Sequence, residues 1–171
     1  MNLETPRLLL SPWHLEDLPS FHALASDPEV VRYISDGVPW PLDRCREFVE
    51  RQMRHFSNLQ FCLWKLNLKE TGEFAGFCGI QPLHDSQEIE IGWWLARKFW
   101  RKGLAIEAAR EALHDAFERV GLRRVVSIAL RENLRSTRIM EKLGMTFDRE
   151  TTHKGFRVAL YSIGSPSSRL R

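Results

Sequence analysis

The 171-residue chain contains little cysteine, and its three cysteines are far apart in the sequence. Cys45, Cys62 and Cys78 form no C-x-x-C pair, and three cysteines cannot all pair with one another. The six histidines show no metal-ligand or triad spacing. A disulfide framework and a zinc site are therefore not expected, and no metal is predicted. Buried free thiols in a reducing cytosol are the expected arrangement.

Long apolar runs and a large charge of one sign are also missing. No stretch approaches the roughly 20 apolar residues that cross a bilayer, and the opening MNLETPRLLL lacks the regions of a signal peptide. A cytoplasmic protein with no membrane partner is the expectation. The net charge of +3 suits an anionic cofactor but gives no dense basic face for dedicated nucleic-acid binding.

Hydrophobic residues make up 43% of the chain and charged residues 27%, as in one globular domain spanning residues 1–171. Ten Phe and six Trp predict a core or cleft that is rich in aromatic rings. The segment 164–171 is expected to be a disordered tail. The sequence leaves a monomer and a homodimer open.

Hydrophobic periodicity changes along the chain between helical and strand spacing. The predicted order is a strand (7–11), two helices (17–25 and 42–56), three strands (61–66, 74–80 and 88–95), a helix (103–120), a strand (125–130), a helix (136–143) and a strand (156–163). This order predicts an α/β fold with a mixed sheet and helices on both faces. Parallel strands joined by a crossover helix create a crevice at their ends, where ligands tend to bind.

The stretch FWRKGLAIEAAREAL places Arg101, Lys102 and Gly103 directly before an amphipathic helix. A helix start has unpaired N–H groups and the positive end of the helix dipole. A glycine there lets the backbone approach a bulky anion. The stretch matches neither a Walker loop nor the dinucleotide fingerprint, so on its own it leaves a solvated turn and a phosphate site open. Glu107, in the first helical turn, is predicted to be structural because a carboxylate there suits the dipole.

Two longer segments, EIGWWLARKFWRKGLAIEA and NLRSTRIMEKLGM, resemble motifs of the GNAT superfamily of acyl-CoA-dependent N-acyltransferases. The opening LETPRLLLSPW resembles the branch that includes ribosomal-protein N-terminal acetyltransferases. The resemblance runs from Leu3 to Ile163 in the family's order and spacing. It implies a single-domain GNAT fold, with a mostly antiparallel sheet of six to seven strands splayed at its centre.

In that family, the loop pattern Arg/Gln-x-x-Gly-x-Gly/Ala holds the pyrophosphate of coenzyme A. Gly103 and Ala105 match the pattern, whereas Trp100 replaces its polar first residue. Backbone N–H groups supply most of the hydrogen bonds to the phosphates, so the loop still suits a pyrophosphate. The coenzyme-binding residues that the resemblance implies are Trp94, Leu95, Arg97, Arg101, Lys102, Gly103, Leu104, Ala105, Asn133 and Ser136.

The strand 88–95 is implied to splay from the strand 125–130, so that the pantetheine arm lies in the gap. A backbone N–H near Trp94 or Leu95 would then stabilise the oxyanion that forms on the thioester carbonyl. Strand alternation puts Glu88 and Glu90 on one face. Glu90 is the predicted base that accepts the proton of an incoming ammonium ion. Glu88 is the alternative base, and an ordinary exposed carboxylate is the structural alternative.

The acceptor side has fewer sequence signals. Trp40 and Glu90 are the predicted substrate-binding residues, and Trp40 either closes over a substrate or simply packs. The loop 35–41 and the turn 152–155 are expected to border the acceptor by analogy with the fold. No residue pattern distinguishes a protein N-terminus from a small-molecule amine.

The second motif supplies a candidate acid. Many family members have a tyrosine seven residues after the asparagine that starts the last helix, but here that position is Met140, which cannot donate a proton. The branch resembled here has Asn-x-x-Ser, matched by Asn133 and Ser136. Ser136 is the predicted acid for the leaving thiolate, and Asn133 would hold the coenzyme or a water. A plain helix N-cap is the alternative role of Asn133.

The resemblance implies an acetyl-CoA-dependent N-acetyltransferase that transfers the acetyl group directly to a primary amine within a ternary complex. The alternative is an acyl-CoA sensor without turnover, which Met140 favours and which Glu90 and Ser136 disfavour. A third hypothesis, an RNA- or ribosome-associated protein, rests on the basic segment 97–102 and the pair Arg123-Arg124.

Overall fold

The computed structural model of the chain describes residues 1–166, which form one eight-stranded sheet with helices on both faces. The strands are β1 (Leu3–Glu4), β2 (Leu8–Ser11), β3 (Leu63–Leu68), β4 (Phe74–Pro82), β5 (Ile89–Leu95), β6 (Arg124–Ala129), β7 (Thr146–His153) and β8 (Phe156–Gly164). The helices are α1 (Leu18–Ala25), α2 (Pro28–Val31), α3 (Leu42–Leu59), α4 (Leu104–Glu118) and α5 (Leu134–Lys142).

The strand order in the sheet is β1-β2-β3-β4-β5-β6-β8-β7. All neighbouring strands pair antiparallel except β5 and β6, which are parallel and joined through α4. The predicted mixed sheet is therefore confirmed, but it has eight strands where six to seven were expected. The two missed strands are edge elements: β1 has two residues, and β7 (TFDRETTH) is mostly exposed and polar. Neither carries the apolar alternation that signals a strand.

Two cores lie on opposite faces of the sheet. Along β3, Leu63 packs with the aromatic core under α1 and α3, whereas the next residue, Trp64, packs with the core under α4. The aromatic core contains Trp13, Phe21, Phe48 and Phe77. Helix α4 packs on the other face through small buried residues, Ala108, Ala109, Ala112 and Ala116. All three cysteines are buried free thiols, as expected.

The centre of the sheet is open. Strand β5 pairs with β4 along its whole length, from Ile89 to Leu95, but it pairs with β6 only at Glu90, opposite Val126. Beyond Glu90 the two parallel strands separate, and the predicted splay is confirmed. The backbone of the second half of β5 therefore borders a gap, and this gap positions the site.

The end of the chain is ordered further than the sequence predicts. Gly164 pairs with Arg124 in the β6–β8 ladder, and the N–H of Ser165 donates to the carbonyl of Arg123 at 2.9 Å. Ile163 packs against the main core, and this contact favours the continuation of β8 to Gly164. The remainder of the predicted tail, residues 167–171, lies outside the described residues.

Candidate active site

The turn before α4 has a backbone shape that most residues avoid. Gly103 is the N-cap of α4 with a φ of 75°, and Arg101 has a φ of 61°. A Cβ on Gly103 would meet its nearest neighbour, Arg7 Nη2, at 3.6 Å, so the backbone angle rather than crowding requires glycine. Helix α4 has no side-chain cap among residues 1–166. The N–H groups of Leu104 and Ala105 are therefore open at the positive end of the helix.

Hydrogen bonds that involve Glu107 and Arg7 fix the position of this turn. Glu107 accepts hydrogen bonds from Thr5 Oγ1 at 2.6 Å, from Arg7 N at 2.9 Å and from Arg7 Nε at 2.7 Å. Arg7 Nη1 also donates to the carbonyl of Lys102 at 2.9 Å. Burial would raise the pKa of Glu107, but the hydrogen bonds from Thr5 and Arg7 outweigh it and lower that pKa. Glu107 thus ties the turn to the β1–β2 connection.

Trp100, the departure from the family pattern, links the turn to two other elements. Its Nε1 donates to the carbonyl of Leu95 at 2.8 Å, and the guanidinium carbon of Arg135 lies 3.6 Å from its ring centroid. Arg135 belongs to the first turn of α5 and was not predicted from the sequence. The feature of the sequence that could have pointed to Arg135 is its position between Asn133 and Ser136, inside the Asn-x-x-Ser motif. Within the described part of the chain, no ion pair involves Arg101, Lys102 or Arg135.

Alternate residues of β5 present their backbone to the gap. The carbonyl of Ile91 faces β6, since it accepts from Ser127 Oγ at 3.0 Å, and the carbonyl of Leu95 accepts from Trp100. The N–H and C=O groups of one residue point to the same side of a strand, and that side alternates along it. The N–H of Leu95 therefore faces the gap, whereas that of Trp94 faces β4.

Glu90 stands where the gap begins, at the end of a chain of hydrogen bonds. Gln81, opposite on β4, donates to Glu90 Oε1 at 2.8 Å, and Gln52 of α3 donates to Gln81 Oε1 at 2.8 Å. Gln52 is fully buried, and its Oε1 accepts the N–H of Leu63 at 2.9 Å. The backbone donor at Leu63 therefore sets the orientation of both amides and of the carboxylate.

The two candidate bases differ in their surroundings. Burial raises the pKa of Glu90, although the hydrogen bond from Gln81 and the charges of Lys154 and Arg51 oppose that rise. A carboxylate with a raised pKa is a stronger proton acceptor. Glu88 instead forms an ion pair with Arg124 at 3.4 Å, so it already has a cation partner.

The start of α5 lies on the other side of the gap. Asn133 is the N-cap of this helix, and its Oδ1 accepts the N–H of Ser136 at 3.3 Å. The hydroxyl of Ser136 has no hydrogen-bond partner in residues 1–166 and is partly exposed. Met140 is 1% exposed and packs in the main core. Asn133 therefore does cap α5, and because it accepts the backbone N–H of Ser136, the Ser136 hydroxyl remains available to a ligand.

Three further predicted site residues, Trp40, Trp94 and Arg97, contact neighbouring side chains of the fold. Trp40 and Trp94 meet edge to face, with ring centroids 4.9 Å apart, and both pack against the aromatic core. Arg97 is not aimed at the turn before α4, because its Nε donates to Asp27 Oδ2 at 2.7 Å. Among the described residues, no group of three or more His, Cys, Asp and Glu could hold a metal ion. No helix in that same part of the chain has the length and apolar character to cross a bilayer.

Residues 7–146 match the acetyltransferase (GNAT) domain family. The chain belongs to this family. This GNAT N-acetyltransferase is 33% identical over 143 residues to the uncharacterized protein YkkB of Bacillus subtilis strain 168, a match that covers 82% of each chain.

Solved structures of GNAT proteins share the fold. The acetyltransferase from Agrobacterium tumefaciens strain C58 superimposes with a TM-score of 0.85 at 26% identity, covering 96% of this chain and 95% of that one. The ribosomal L7/L12 alpha-N-protein acetyltransferase RimL, in complex with coenzyme A, has a TM-score of 0.79 at 16% identity, covering 96% and 98%. The likeness to RimL concerns the fold alone.

Proposed function

We propose that this N-acetyltransferase transfers the acetyl group of acetyl-CoA directly to a primary amine within a ternary complex. The observation that carries the proposal is the single residue pair between β5 and β6, which leaves a gap with open backbone donors. The uncapped start of α4 lies at one end of this gap, and Glu90 lies at the other. The coenzyme A bound to RimL supports acetyl-CoA as the cosubstrate.

The residues around the start of α4 would hold the coenzyme phosphates. The N–H groups of Leu104 and Ala105 suit a pyrophosphate, because several donors converge at the positive helix end. Arg101, Lys102 and Arg135 add charge there and have no carboxylate partner of their own in residues 1–166. The pantetheine arm would then follow the open edge of β5. The Leu95 N–H would bind the arm close to the phosphates, and a gap-facing N–H of β5 nearer Glu90 would bind the thioester carbonyl and the oxyanion that forms on it.

Glu90 would prepare the amine for attack. An amine arrives largely as an ammonium ion and must lose a proton before its lone pair can form the new C–N bond. Burial raises the pKa of Glu90, which makes the carboxylate a better acceptor for that proton, directly or through a water. Gln81 and Gln52 hold the carboxylate in position.

Ser136 would protonate the departing thiolate. The conjugate acid of such a thiolate has a pKa near that of cysteine, about 8.5, so a nearby hydroxyl assists its departure modestly. A cysteine acyl carrier is disfavoured, because all three thiols are buried. Burial raises the pKa of Cys45 to about 11, although the charge of Arg44 opposes this rise.

Two other functions have weaker support. An acyl-CoA sensor is favoured only by Met140, whose burial in the core explains the residue without reference to catalysis. The RNA-binding hypothesis loses part of its basis, because Arg97 pairs with Asp27 and Arg124 pairs with Asp148.

The test is calorimetric titration with acetyl-CoA, followed on the same sample by thiol release across a panel of amines and N-terminal peptides. We expect binding together with release for one amine class. Binding without release for any member of the panel would favour the sensor. Absence of binding would contradict the assignment of the turn at Gly103.

A further inference from the structure

Three cations lie around Glu90 without a carboxylate partner. Arg44 and Arg51 are about two helical turns apart on one face of α3, and Lys154 is at the tip of the β7–β8 turn, with a φ of 50°. No ion pair or hydrogen bond of these side chains is formed with any residue between 1 and 166. Arg44 and Arg51 are nevertheless partly buried.

The hydrogen bonds from Gln52 to Gln81 and from Gln81 to Glu90 bring α3, at the residue after Arg51, up to Glu90, and the charged groups there affect one another's pKa values. Burial lowers the pKa of Lys154, and the charges of Arg51 and Arg44 lower it further, whereas Glu90 raises it. Burial also lowers the pKa of Arg51, with Arg54 and Arg44 acting in the same direction and Glu47 and Glu90 opposing them. Such interactions weaken with distance and with solvent screening. Arg44, Arg51 and Lys154 therefore outnumber the two carboxylates, Glu90 and Glu47, that act on them.

Aromatic rings hold the two guanidinium groups without neutralising them. The Arg44 guanidinium carbon lies 4.0 Å from the Trp40 ring centroid, and that of Arg51 lies 5.5 Å from the Phe48 ring centroid. A ring face attracts a cation but accepts none of its in-plane N–H groups in the way that an anion does. The indole Nε1 of Trp40 is also buried without an acceptor among the described residues.

Partly buried cations without a counterion are costly, and a bound anion removes that cost. The planar fork of an arginine matches a carboxylate or phosphate with two parallel hydrogen bonds. We propose that the acceptor is a small amine that carries an anionic group, a carboxylate or a phosphate, which Arg44, Arg51 and Lys154 bind beside Glu90. This inference rests on the proposed function and names the acceptor class of that same site.

The group transfer balances as follows. The ammonium nitrogen gives one proton to Glu90 and attacks the thioester carbonyl, so that a C–N bond forms and the C–S bond breaks. The thiolate then takes up the second nitrogen proton through Ser136, and Glu90 releases its proton to solvent. The anionic group of the acceptor stays unchanged and serves only to bind. A polyamine is disfavoured as acceptor, because its additional ammonium groups would face the three cations.

The experiment measures thiol release from acetyl-CoA with matched pairs of amines. One arm compares amino acids with their carboxamides, and a second compares phosphoethanolamine with ethanolamine, each at equal concentrations of free amine. Spermidine serves as the polycation. We expect kcat/KM at least about 10-fold higher for the anionic member of one pair, and the pair that responds identifies carboxylate or phosphate.

Variants then assign the effect to the cleft. Arg51→Gln is expected to raise KM for the anionic acceptor about 10-fold or more, and to reduce by a similar factor the preference in kcat/KM for the anionic member of the pair over its uncharged partner. Arg44→Gln is the second variant, and exposed Arg46→Gln on the same helix is the matched control. Retained affinity for acetyl-CoA in calorimetry shows that each variant is folded.

Failure of the inference about the acceptor can be distinguished from failure of the proposed acetyltransferase function. Equal or better activity with uncharged amines or spermidine, unaffected by Arg51→Gln, would overturn the inference and leave the acetyltransferase proposal intact. Acetyl-CoA binding without thiol release for any amine would overturn the proposed function, and the inference with it.

Discussion

The two ends of the gap are both basic, but they are built in different ways. At the start of α4, a short continuous stretch offers backbone N–H groups, and its shape depends on the positive φ of Gly103. At Glu90, side chains from α3, β4, β5 and the β7–β8 turn converge, and each depends on neighbours that are distant in the sequence. A backbone site tolerates changes of side chain, as at Trp100. A side-chain site can change its acceptor through single substitutions.

The largest effect that would test this difference is expected from Gly103→Val. A β-branched residue at a φ of 75° is strained by roughly 1–2 kcal/mol, and its side chain would block the approach of a phosphate to the backbone. We expect coenzyme binding to be abolished in calorimetry.

Gly121→Val is the matched control, because Gly121 has a φ of 78° and no atom within 4 Å of an added Cβ. It should lose similar stability in thermal unfolding and keep its affinity for acetyl-CoA. Unchanged affinity in Gly103→Val would show that the turn does not hold phosphates.

At the other end, Glu90→Gln should reduce turnover about 100-fold or more while the affinity for acetyl-CoA is retained. The pKa of Glu90 is raised, chiefly by burial, so the wild-type rate should increase with pH through a value above the usual range of a glutamate. That acidic limb should be absent in the pH–rate profile of the variant. Glu88→Gln should keep it, and an unaltered limb in Glu90→Gln would exclude Glu90 as the base.

A smaller effect is expected from Gln81→Leu, which removes the amide between Gln52 and Glu90. Glu90 would lose a hydrogen bond that lowers its pKa, so the acidic limb should move to higher pH, and kcat should fall by about 10-fold. The exposed Gln87→Leu in the β4–β5 turn is the control. An unshifted profile would mean that the amides only pack.

An effect of similar size, on turnover alone, is expected from Ser136→Ala, which should slow turnover by about 10-fold. The helix cap should survive, because Asn133 accepts the backbone N–H of Ser136 and not its hydroxyl. Thermal unfolding should therefore match the wild type. If turnover also matches, Ser136 is only a helix residue.

The same contrast explains what could be predicted from the sequence. The turn at Gly103 and the cap at Asn133 each occupy a few consecutive residues, so their patterns are visible in the chain itself. Strand β7 was missed because an exposed, polar edge strand has no apolar period. The splay followed only from the resemblance, since no local pattern encodes the distance between two strands.

At the acceptor end, the sequence predicted Glu90, Trp40, the loop 35–41 and the turn 152–155, but neither Arg44 nor Arg51. Arg44 and Arg51 are arginines on an amphipathic helix, which most often point to solvent, and their convergence with Lys154 requires the tertiary fold. Gln52 did carry a signal, since it interrupts the apolar face formed by Cys45, Phe48 and Val49 at helical spacing. A fully buried glutamine on such a face needs polar partners, and here they lead to Glu90.

The most direct test of the central claim is titration of the isotope-labelled protein with acetyl-CoA, followed through its backbone amide resonances. We expect the largest shifts at the N–H groups of Gly103, Leu104, Ala105 and Leu95, with small changes along α3. Dominant shifts along α3, with the start of α4 unaffected, would contradict this claim.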